Sequence, residues 1–167
     1  MRTDVTLRRL DEDVLADLLA AAVAGADPLE VMPPVAGPPG WTPERREAFL
    51  DFHRARSLSA TPVETTYAIV AGGTVAGAAR LRPVDGVPGA VETGVWIDRP
   101  RRGTGVGRAV LGLLVAEARA AGATRLHADT TAGNQAARSL LARLGATMEV
   151  HGDEVTAWAD LTTAGPR

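Results

Sequence analysis

The spacing of apolar residues along the chain alternates between the period of a strand and that of a helix. Residues 5–8 have the pattern of a short strand, and residues 11–24 repeat their apolar side chains every three or four positions, as one face of a helix does. A second helix is predicted through residue 56, because Thr42 can act as an N-cap and Pro43 suits the first helical position. The chain is therefore predicted to begin with a strand and two helices.

Period-two alternation begins at residue 65 and predicts a run of strands. Residues 65–71 and 74–81 are separated by two glycines, the signal of a two-residue hairpin, and residues 91–98 follow after further turn residues. A glycine-rich turn and a helix come next, and then a strand at residues 124–130. Because a helix joins the strand that ends at residue 98 to this one, the two strands can be parallel.

The other segments are a proline-rich loop near the start and a helix and hairpin at the end. Residues 25–42 hold five of the eleven prolines, and a loop of this length in a compact domain is either functional or mobile. A last helix is predicted from Asn134, and strands at residues 147–150 and 155–161 pair at the end. With no repeat and no second domain in the pattern, we expect residues 1–167 to form a single domain.

The turn after the strand at residues 91–98 carries the clearest functional pattern. Glycines at positions 103, 105 and 107 leave backbone N–H groups uncovered at a helix N-terminus, where the helix dipole favours an anion. Four arginines crowd this turn in a chain of net charge -2, which predicts a local positive field. These arginines are Arg99, Arg101, Arg102 and Arg108. The turn therefore predicts a phosphate or pyrophosphate site, with a simple tight turn as the alternative.

Two other glycine-rich phosphate loops do not fit this segment. A P-loop needs a lysine after its last glycine, and the chain contains no lysine. The dinucleotide fingerprint has its third glycine where Arg108 stands, and the rest of the chain is too short for a Rossmann domain.

Composition excludes several classes of function. The chain has no cysteine, which excludes a disulfide framework, a thiolate metal site and a cysteine nucleophile, and agrees with an intracellular protein. Its pI near 5.9 and two phenylalanines give no basic surface with interleaved aromatic residues, so we expect no nucleic-acid partner. No stretch approaches the roughly 18 apolar residues of a membrane span, so we expect a soluble, cytoplasmic protein with no membrane partner. No metal site is predicted.

Two motifs and the order of elements resemble the GNAT N-acetyltransferase superfamily. Arg102-x-x-Gly105-x-Gly107 matches the acetyl-CoA loop of that family, and residues 134–146, NQAARSLLARLGA, are similar to its later segment. The resemblance covers essentially the whole chain. It implies a mixed α/β (α+β) fold, in which a mostly antiparallel central sheet contains a parallel, splayed strand pair and is flanked by about four helices.

The resemblance implies where acetyl-CoA would bind as co-substrate. In the family the loop amides hold the pyrophosphate of coenzyme A, and backbone groups near the end of the central strand hold the pantetheine and the thioester. A free N–H beside the thioester carbonyl would stabilise the oxyanion of the reaction. Asn134 resembles a residue that hydrogen-bonds the pantetheine or a water beside it, and it can also cap the last helix. The implied acetyl-CoA residues are Val95, Trp96, Ile97, Arg102, Gly103, Thr104, Gly105, Val106, Gly107, Arg108 and Asn134.

Two positions depart from the pattern of the family. The family often has a tyrosine, placed to protonate the leaving thiolate, where Leu141 stands, and an aromatic residue where Ala146 stands. The one tyrosine of the chain, Tyr67, is predicted far away in the second strand. Because a thiol has a pKa of about 8.5, solvent could protonate the leaving group instead.

Glu92 and Asp129 resemble positions where family members carry acidic residues. Either could take the proton of the acceptor amine, directly or through water. Their alternative roles are a strand-surface charge for Glu92 and a cap or turn acceptor for Asp129, while His127, on the same strand face as Asp129, could be a packed imidazole. We favour Glu92 as the base, because its strand would also hold the thioester, whereas Asp129 has turn and capping groups nearby.

The resemblance implies transfer of an acetyl group from acetyl-CoA to a primary amine, in a ternary complex and with a small molecule as the acceptor. The proline-rich loop would form part of the acceptor wall, with Met32 and Trp41 as candidate substrate-binding residues. Two alternatives stay open, which are a protein or peptide N-terminus as the acceptor and a non-catalytic acyl-CoA-binding sensor or self-association module. The identity of the acceptor and the oligomeric state, a homodimer included, do not follow from the sequence.

Overall fold

A seven-stranded sheet with strand order β1-β2-β3-β4-β5-β7-β6 forms the centre of the molecule. The computed structural model describes residues 2–162, so residue 1 and residues 163–167 of the predicted domain lie outside the described residues. The strands are β1 (Val5–Arg9), β2 (Thr65–Ala71), β3 (Thr74–Pro83), β4 (Ala90–Ile97), β5 (Arg125–Thr131), β6 (Thr147–His151) and β7 (Glu154–Asp160). The helices are α1 (Glu12–Gly25), α2 (Pro28–Val31), α3 (Pro43–His53), α4 (Val106–Ala120) and α5 (Gln135–Arg143).

All neighbouring strands are antiparallel except β4 and β5, which are parallel, so the predicted mixed sheet is confirmed. The parallel pairing covers only three residue pairs, of which the last is Glu92 with His127. Beyond that pair, β4 stays paired with β3 as far as Ile97, and β5 stays paired with β7 as far as Thr131. The C-terminal halves of β4 and β5 therefore part and leave a gap between them.

Helices cover both faces of the sheet and bury two main cores. On one face, Val110 and Leu114 of α4 are fully buried against the sheet, and Leu141 of α5 packs beside them on β5 and β7. On the other face, Leu18 of α1 and Phe49 of α3 are fully buried in a second cluster. Full burial of one such side chain contributes about 1.5–3 kcal/mol, so packing fixes both helical layers to the sheet.

Capping side chains stand at the helix starts that the sequence predicts. Asp11 accepts a backbone N–H of the first turn of α1 at 2.8 Å, and Thr42 accepts that of Arg45 in α3 at 3.2 Å. Asn134 accepts the backbone N–H of Ala137 at 3.1 Å, which confirms its predicted capping role. Each cap satisfies one of the backbone donors that a helix start otherwise leaves unpaired.

The proline-rich segment of residues 25–42 is tied to the second core and is no loose connector. It contains the one-turn helix α2, which the sequence pattern does not predict. The buried guanidinium of Arg45 donates to four of its backbone carbonyls, at 2.8 Å for Val35 and 2.7 Å for Gly40. The other two acceptors are the carbonyls of Gly37 and Pro38. A side chain of α3 thus fixes the segment that precedes its own helix.

The second predicted helix ends earlier than its sequence pattern indicates. α3 ends at His53, and Arg54–Leu58 form a wider π-type turn. In this turn the carbonyl of Arg56 accepts the backbone N–H groups of Val63 at 2.9 Å and Glu64 at 3.3 Å. These donors come from the segment before β2, so the turn joins α3 to that strand.

Gly77 of β3 permits the close approach of β3 to β4. Its φ is +155°, and a Cβ there would lie 2.0 Å from the carbonyl oxygen of Trp96. We expect Gly77→Ala to lower the free energy of unfolding by about 3 kcal/mol or more, because backbone strain and a backbone clash must both be relieved. Equilibrium unfolding in urea measures this loss.

Gly86→Ala is the matched control, because it carries left-handed strain alone. Gly86 has a φ of +75° and no atom within 4 Å of an added Cβ, so its loss should be about 1–2 kcal/mol. Equal losses for the two variants would contradict a steric role for Gly77 at the strand pair.

Candidate active site

A long groove of about 780 Å³ lies in the gap where β4 and β5 part. Its walls are the end of β4, the start of α4, residues of α5 and the three residues of β5 that follow its last pair with β4, Ala128, Asp129 and Thr130. Nine of the predicted acetyl-CoA residues line it, which are Val95, Trp96, Ile97, Arg102, Gly103, Gly105, Gly107, Arg108 and Asn134. The topology therefore brings separate parts of the chain together at one cavity.

Two other residues of that predicted set do not line the groove. Val106, the first residue of α4, is fully buried between that helix and the sheet. The hydroxyl of Thr104 donates to the carbonyl of Arg101 at 2.5 Å and accepts from Arg2 at 3.2 Å. The side chains of Thr104 and Val106 therefore form no part of the groove wall.

The glycine-rich loop presents backbone donors to the groove at the start of α4. Gly103 and Gly105 have φ values of +72° and +89°, which residues with a side chain rarely adopt. In the part of the chain that the structure describes, no acceptor pairs with the backbone N–H groups of residues 103–108. These groups stand at the positive end of the 15-residue helix α4. The arrangement fits a phosphate or pyrophosphate group.

The arginines around this loop are largely neutralised, which corrects the positive field that the sequence predicts. Arg99 pairs with Asp27 at 2.7 Å, Arg102 pairs with Glu30 at 2.6 Å, and Arg101 pairs with Asp98. Among the four arginines, Arg108 alone forms no ion pair within residues 2–162. No local pattern predicts the partners of Arg99 and Arg102, because these partners lie 72 positions earlier in the chain.

A smaller cavity of about 320 Å³ lies on the side of β4 that α1 and α3 cover. Apolar side chains of the α2 region and of α3 form part of its wall, with polar residues of β2 and β3 opposite. Gly94, Val95 and Trp96 of β4 line both this cavity and the long groove, and so does Glu30 of α2. The two cavities therefore meet at the C-terminal half of β4.

Four alternating charges form a row beside the small cavity. The carboxylate of Glu64, whose side chain is only 1% exposed, accepts from Arg56 at 2.7 Å and from Arg80 at 3.4 Å. Arg80 also donates to Glu92 at 2.8 Å. Glycine at position 94 leaves room for this bridge, since a Cβ there would lie 2.7 Å from Nε of Arg80. The row balances its own charge when all four groups are ionised.

Glu64, Arg80 and His53 line the small cavity, and the sequence analysis did not select them. One signal was available for Glu64. Positions 66 and 68 of β2 are buried on the α1 and α3 face, and period-two alternation places residue 64 on that same face. A carboxylate at an inward-facing position needs charged partners, which would have indicated a site.

The two predicted bases occupy different places. Glu92 lines neither cavity but is joined to the small one through Arg80. Asp129 lines the long groove with its side chain 66% exposed, and it accepts from the hydroxyl of Thr156 at 3.2 Å. His127 lies 3.4 Å from Asp129 and stacks on Trp158 with a centroid distance of 4.5 Å, as a packed imidazole does.

Tyr67 lies away from both cavities. Its hydroxyl donates to Glu117 of α4 at 3.4 Å, and burial, followed by the charge of Glu117, raises the pKa of Tyr67. Leu141, at the position where the family often has a tyrosine, lines the long groove with an aliphatic side chain. Neither residue can protonate a leaving group there.

The structure separates the two predicted acceptor residues. Met32 lines the small cavity. Trp41 lines neither cavity, because its Nε1 donates to the carbonyl of Ala26 at 2.8 Å and its ring packs edge-on against Phe49 at 5.8 Å. Trp41 therefore packs in the second core. Of the two residues, Met32 is the one that can touch a molecule in the small cavity.

A family comparison agrees with this geometry. The sequence model of the acetyltransferase (GNAT) family matches residues 29–146, more than two thirds of the chain. The chain belongs to this family. Among curated proteins, no sequence matches it.

Solved structures of GNAT proteins share the fold over nearly their full length. The structure of YncA from Salmonella typhimurium with its cofactor acetyl-CoA superposes with a TM-score of 0.67 at 23% identity, covering 98% of each chain. Mutant forms of the spermidine/spermine N-acetyltransferase SpeG from Vibrio cholerae give a TM-score of 0.71 at 14% identity, covering 96% of each chain. At these identities the likeness establishes the fold alone.

Residues 2–162 contain neither a membrane-spanning helix nor a metal-binding cluster. No helix in that range is long and apolar enough to cross a membrane. The same residues contain no group of three or more histidine, cysteine, aspartate or glutamate side chains placed to hold a metal ion.

His53 makes the stability of the protein depend on pH. Burial disfavours the charged imidazolium and lowers the pKa of His53 from 6.5 to about 4. Between pH 6.5 and about pH 4, His53 is protonated in the unfolded chain but not in the folded protein. The free energy of unfolding therefore falls as the pH falls through this range. We expect the wild type to lose about 2 kcal/mol more stability than His53→Gln between pH 7 and pH 5, measured by urea unfolding.

His151→Gln is the control for this comparison, because the side chain of His151 is exposed. Its loss of stability between the two pH values should equal that of the wild type. A His53→Gln variant with the wild-type pH dependence would contradict a buried, neutral His53.

Proposed function

We propose that the protein is an N-acetyltransferase that moves an acetyl group from acetyl-CoA to a primary amine of a small molecule by direct attack in a ternary complex. The observation that carries this proposal is the meeting of two cavities at Gly94, Val95 and Trp96. One cavity offers unpaired loop amides, and the other is walled by apolar and charged side chains. A donor in the first and an acceptor in the second would touch at β4.

The long groove suits acetyl-CoA, whose thioester would supply the activated acetyl group. The amides of residues 103–108 would bind the pyrophosphate at the start of α4. Beyond Glu92, β4 lacks the neighbour that β5 provides earlier, so its backbone groups near Val95 are free to hold the pantetheine and the acetyl carbonyl. The carbonyl of Ile97 is already bonded, since it accepts from Nε of Arg102 at 2.8 Å. Asn134 lines the same groove and keeps its capping bond.

Glu92 is the proposed general base, acting on the amine through water. Its link to Arg80 places it beside the cavity proposed for the acceptor, whereas Asp129 lies in the groove proposed for the donor. With Leu141 aliphatic and Tyr67 remote, solvent is the proposed proton source for the leaving thiolate.

A small-molecule acceptor is favoured by the size of the acceptor cavity, about 320 Å³, which falls in the range of small-ligand sites. The spermidine/spermine N-acetyltransferase SpeG shares the fold, and the acceptors in its name are amines.

We place the reaction in the cytoplasm. Self-association as a homodimer is supported by the dodecameric spermidine N-acetyltransferase from Vibrio cholerae, which has the same fold.

Two other functions remain as alternatives, an acyl-CoA-binding sensor and an acetyltransferase of protein or peptide N-termini. The aliphatic Leu141 is the observation that favours the sensor. Release of free thiol from acetyl-CoA in the presence of an amine panel distinguishes the enzyme from the sensor, and a parallel peptide panel distinguishes the two enzymes.

Gly105→Asp should weaken binding of acetyl-CoA by more than tenfold. The carboxylate would stand at the loop where the pyrophosphate is proposed to bind, and like charges repel. Tenfold corresponds to about 1.4 kcal/mol, which calorimetric titration resolves easily. Gly112→Asp in the middle of α4 is the control, since it makes the same change at an exposed position that lines neither cavity. If Gly105→Asp binds acetyl-CoA as tightly as the wild type, the assignment of this loop to acetyl-CoA is wrong.

Glu92→Gln should lower kcat by about a hundredfold or more and leave acetyl-CoA affinity unchanged. Glutamine keeps an oxygen that can accept from Arg80 but cannot act as a base. The loss should shrink as pH rises, because more of the amine is already neutral. Asp129→Asn is the comparison, and it should retain most of the activity. If Asp129→Asn loses activity while Glu92→Gln does not, the base has been assigned to the wrong strand.

A further inference from the structure

Glu30 is the one charged residue within residues 2–162 that lines both the long groove and the small cavity. Its Oε1 accepts the backbone N–H of Asp27 at 3.1 Å, and its Oε2 accepts from Nη2 of Arg102 at 2.6 Å. One oxygen therefore fixes the carboxylate to α2, and the other joins it to the glycine-rich loop.

We propose that Glu30 exchanges partners between the two cavities. It holds Arg102 in the free protein and binds the ammonium group of the acceptor after coenzyme A has occupied the loop. This inference rests on the proposed acetyl-CoA-dependent function and adds an acceptor-binding residue to it.

The first step is the release of Arg102 by the pyrophosphate. The side chains of Arg102 and Glu30 are 43% and 35% exposed, and ion pairs with that much exposure are weak. Charge-assisted bonds from an arginine to a phosphate are stronger and are often bidentate. A pyrophosphate at the amides of residues 103–108 would therefore draw Nη2 of Arg102 away from Glu30. Nε of Arg102, which donates to the carbonyl of Ile97 at 2.8 Å, can keep the side chain beside the loop.

The second step is the use of the freed carboxylate by an ammonium group. Glu30 stays in position after Arg102 leaves, because the N–H of Asp27 still holds its other oxygen. Glu64, the other carboxylate of the small cavity, is already paired with Arg56 and Arg80. Arg99 stays near Glu30, 4.0 Å from its Oε1, but it already pairs with Asp27 at 2.7 Å. Oε2 of Glu30 is thus left to bind a cation at the junction of the cavities.

The neighbours of Glu30 indicate the class of acceptor. Val31 and Met32, which follow it in the chain, line the same cavity with apolar side chains. An ammonium group on a short hydrocarbon chain would place its charge at Glu30 and its chain against these residues. Binding of coenzyme A and binding of such an amine should then each strengthen the other, because coupling between two sites is reciprocal.

The test measures binding of coenzyme A by calorimetry, with n-butylammonium chloride as the probe for the acceptor. For the wild type, n-butylammonium should tighten coenzyme A binding, and tetramethylammonium chloride at the same concentration should not, because it has no N–H donor. Glu30→Gln should bind coenzyme A about two- to fivefold more tightly than the wild type, because Arg102 no longer has a competing carboxylate. It should also lose the effect of n-butylammonium.

Glu12→Gln is the matched control, because Glu12 is an exposed carboxylate that accepts from Arg54 at 3.0 Å and lines neither cavity. It should bind coenzyme A like the wild type and keep the effect of n-butylammonium. Unchanged or weaker coenzyme A binding by Glu30→Gln would overturn the proposal, as would an n-butylammonium effect that persists in that variant or is missing from the wild type.

Damage to α2 would weaken binding of coenzyme A, so it cannot imitate the expected gain in affinity. A wild-type protein that does not bind coenzyme A at all would overturn the proposed function itself.

Discussion

The candidate site depends on the unequal pairing of β4 with its two neighbouring strands. β5 pairs with β4 only as far as Glu92, while β3 stays paired with it as far as Ile97. Past Glu92, the backbone groups of β4 that point toward β5 have no sheet partner. A buried polar group without a partner costs about 1–3 kcal/mol, so such an edge persists in a fold when it faces solvent or a ligand. The groove supplies that environment, and the same parting of the strands creates it.

The helices hold this gap open and complete its walls. Gly107 at the start of α4 has no Cβ, and one placed there would lie 3.3 Å from Leu140 of α5 and 3.4 Å from Ile97 of β4. Close packing at this point brings the start of α4 against α5 and the end of β4. The loop amides and Asn134 consequently reach the same groove, although they lie about 30 residues apart in the sequence.

The charges of the site are arranged in pairs that join distant segments. Glu64 is buried between two arginines, and removing one partner of a buried pair is strongly destabilising, because the remaining charge is left unpaired. Near the glycine-rich loop, the pairs of Arg99 with Asp27 and of Arg102 with Glu30 are more exposed and weaker. The buried pairs therefore maintain the wall of the small cavity, and these two exposed pairs contribute less to stability.

Sequence patterns predicted the features that depend on local spacing. The antiparallel strands before the glycine-rich turn, the parallel pair and the caps at Thr42 and Asn134 follow from periodicity and from residues close to each element. The one-turn helix α2 and the π-type turn after α3 were missed, because segments this short show no periodicity. Partnerships such as Arg102 with Glu30 were also missed, since no local pattern indicates a contact between residues 72 positions apart. The sequence places Trp41 in the acceptor wall with the rest of the proline-rich loop, but its indole N–H and ring contacts place it in the second core.

Donor and acceptor are proposed to meet at the C-terminal half of β4, so that the acetyl group would pass directly between them. Initial rates with acetyl-CoA and an amine varied together test this direct transfer, combined with the intact mass of the protein after incubation with acetyl-CoA alone. Direct transfer predicts double-reciprocal lines that intersect and a protein mass that does not change. Parallel lines and a protein carrying one added acetyl group would show a covalent acetyl-enzyme, and would rule out direct transfer.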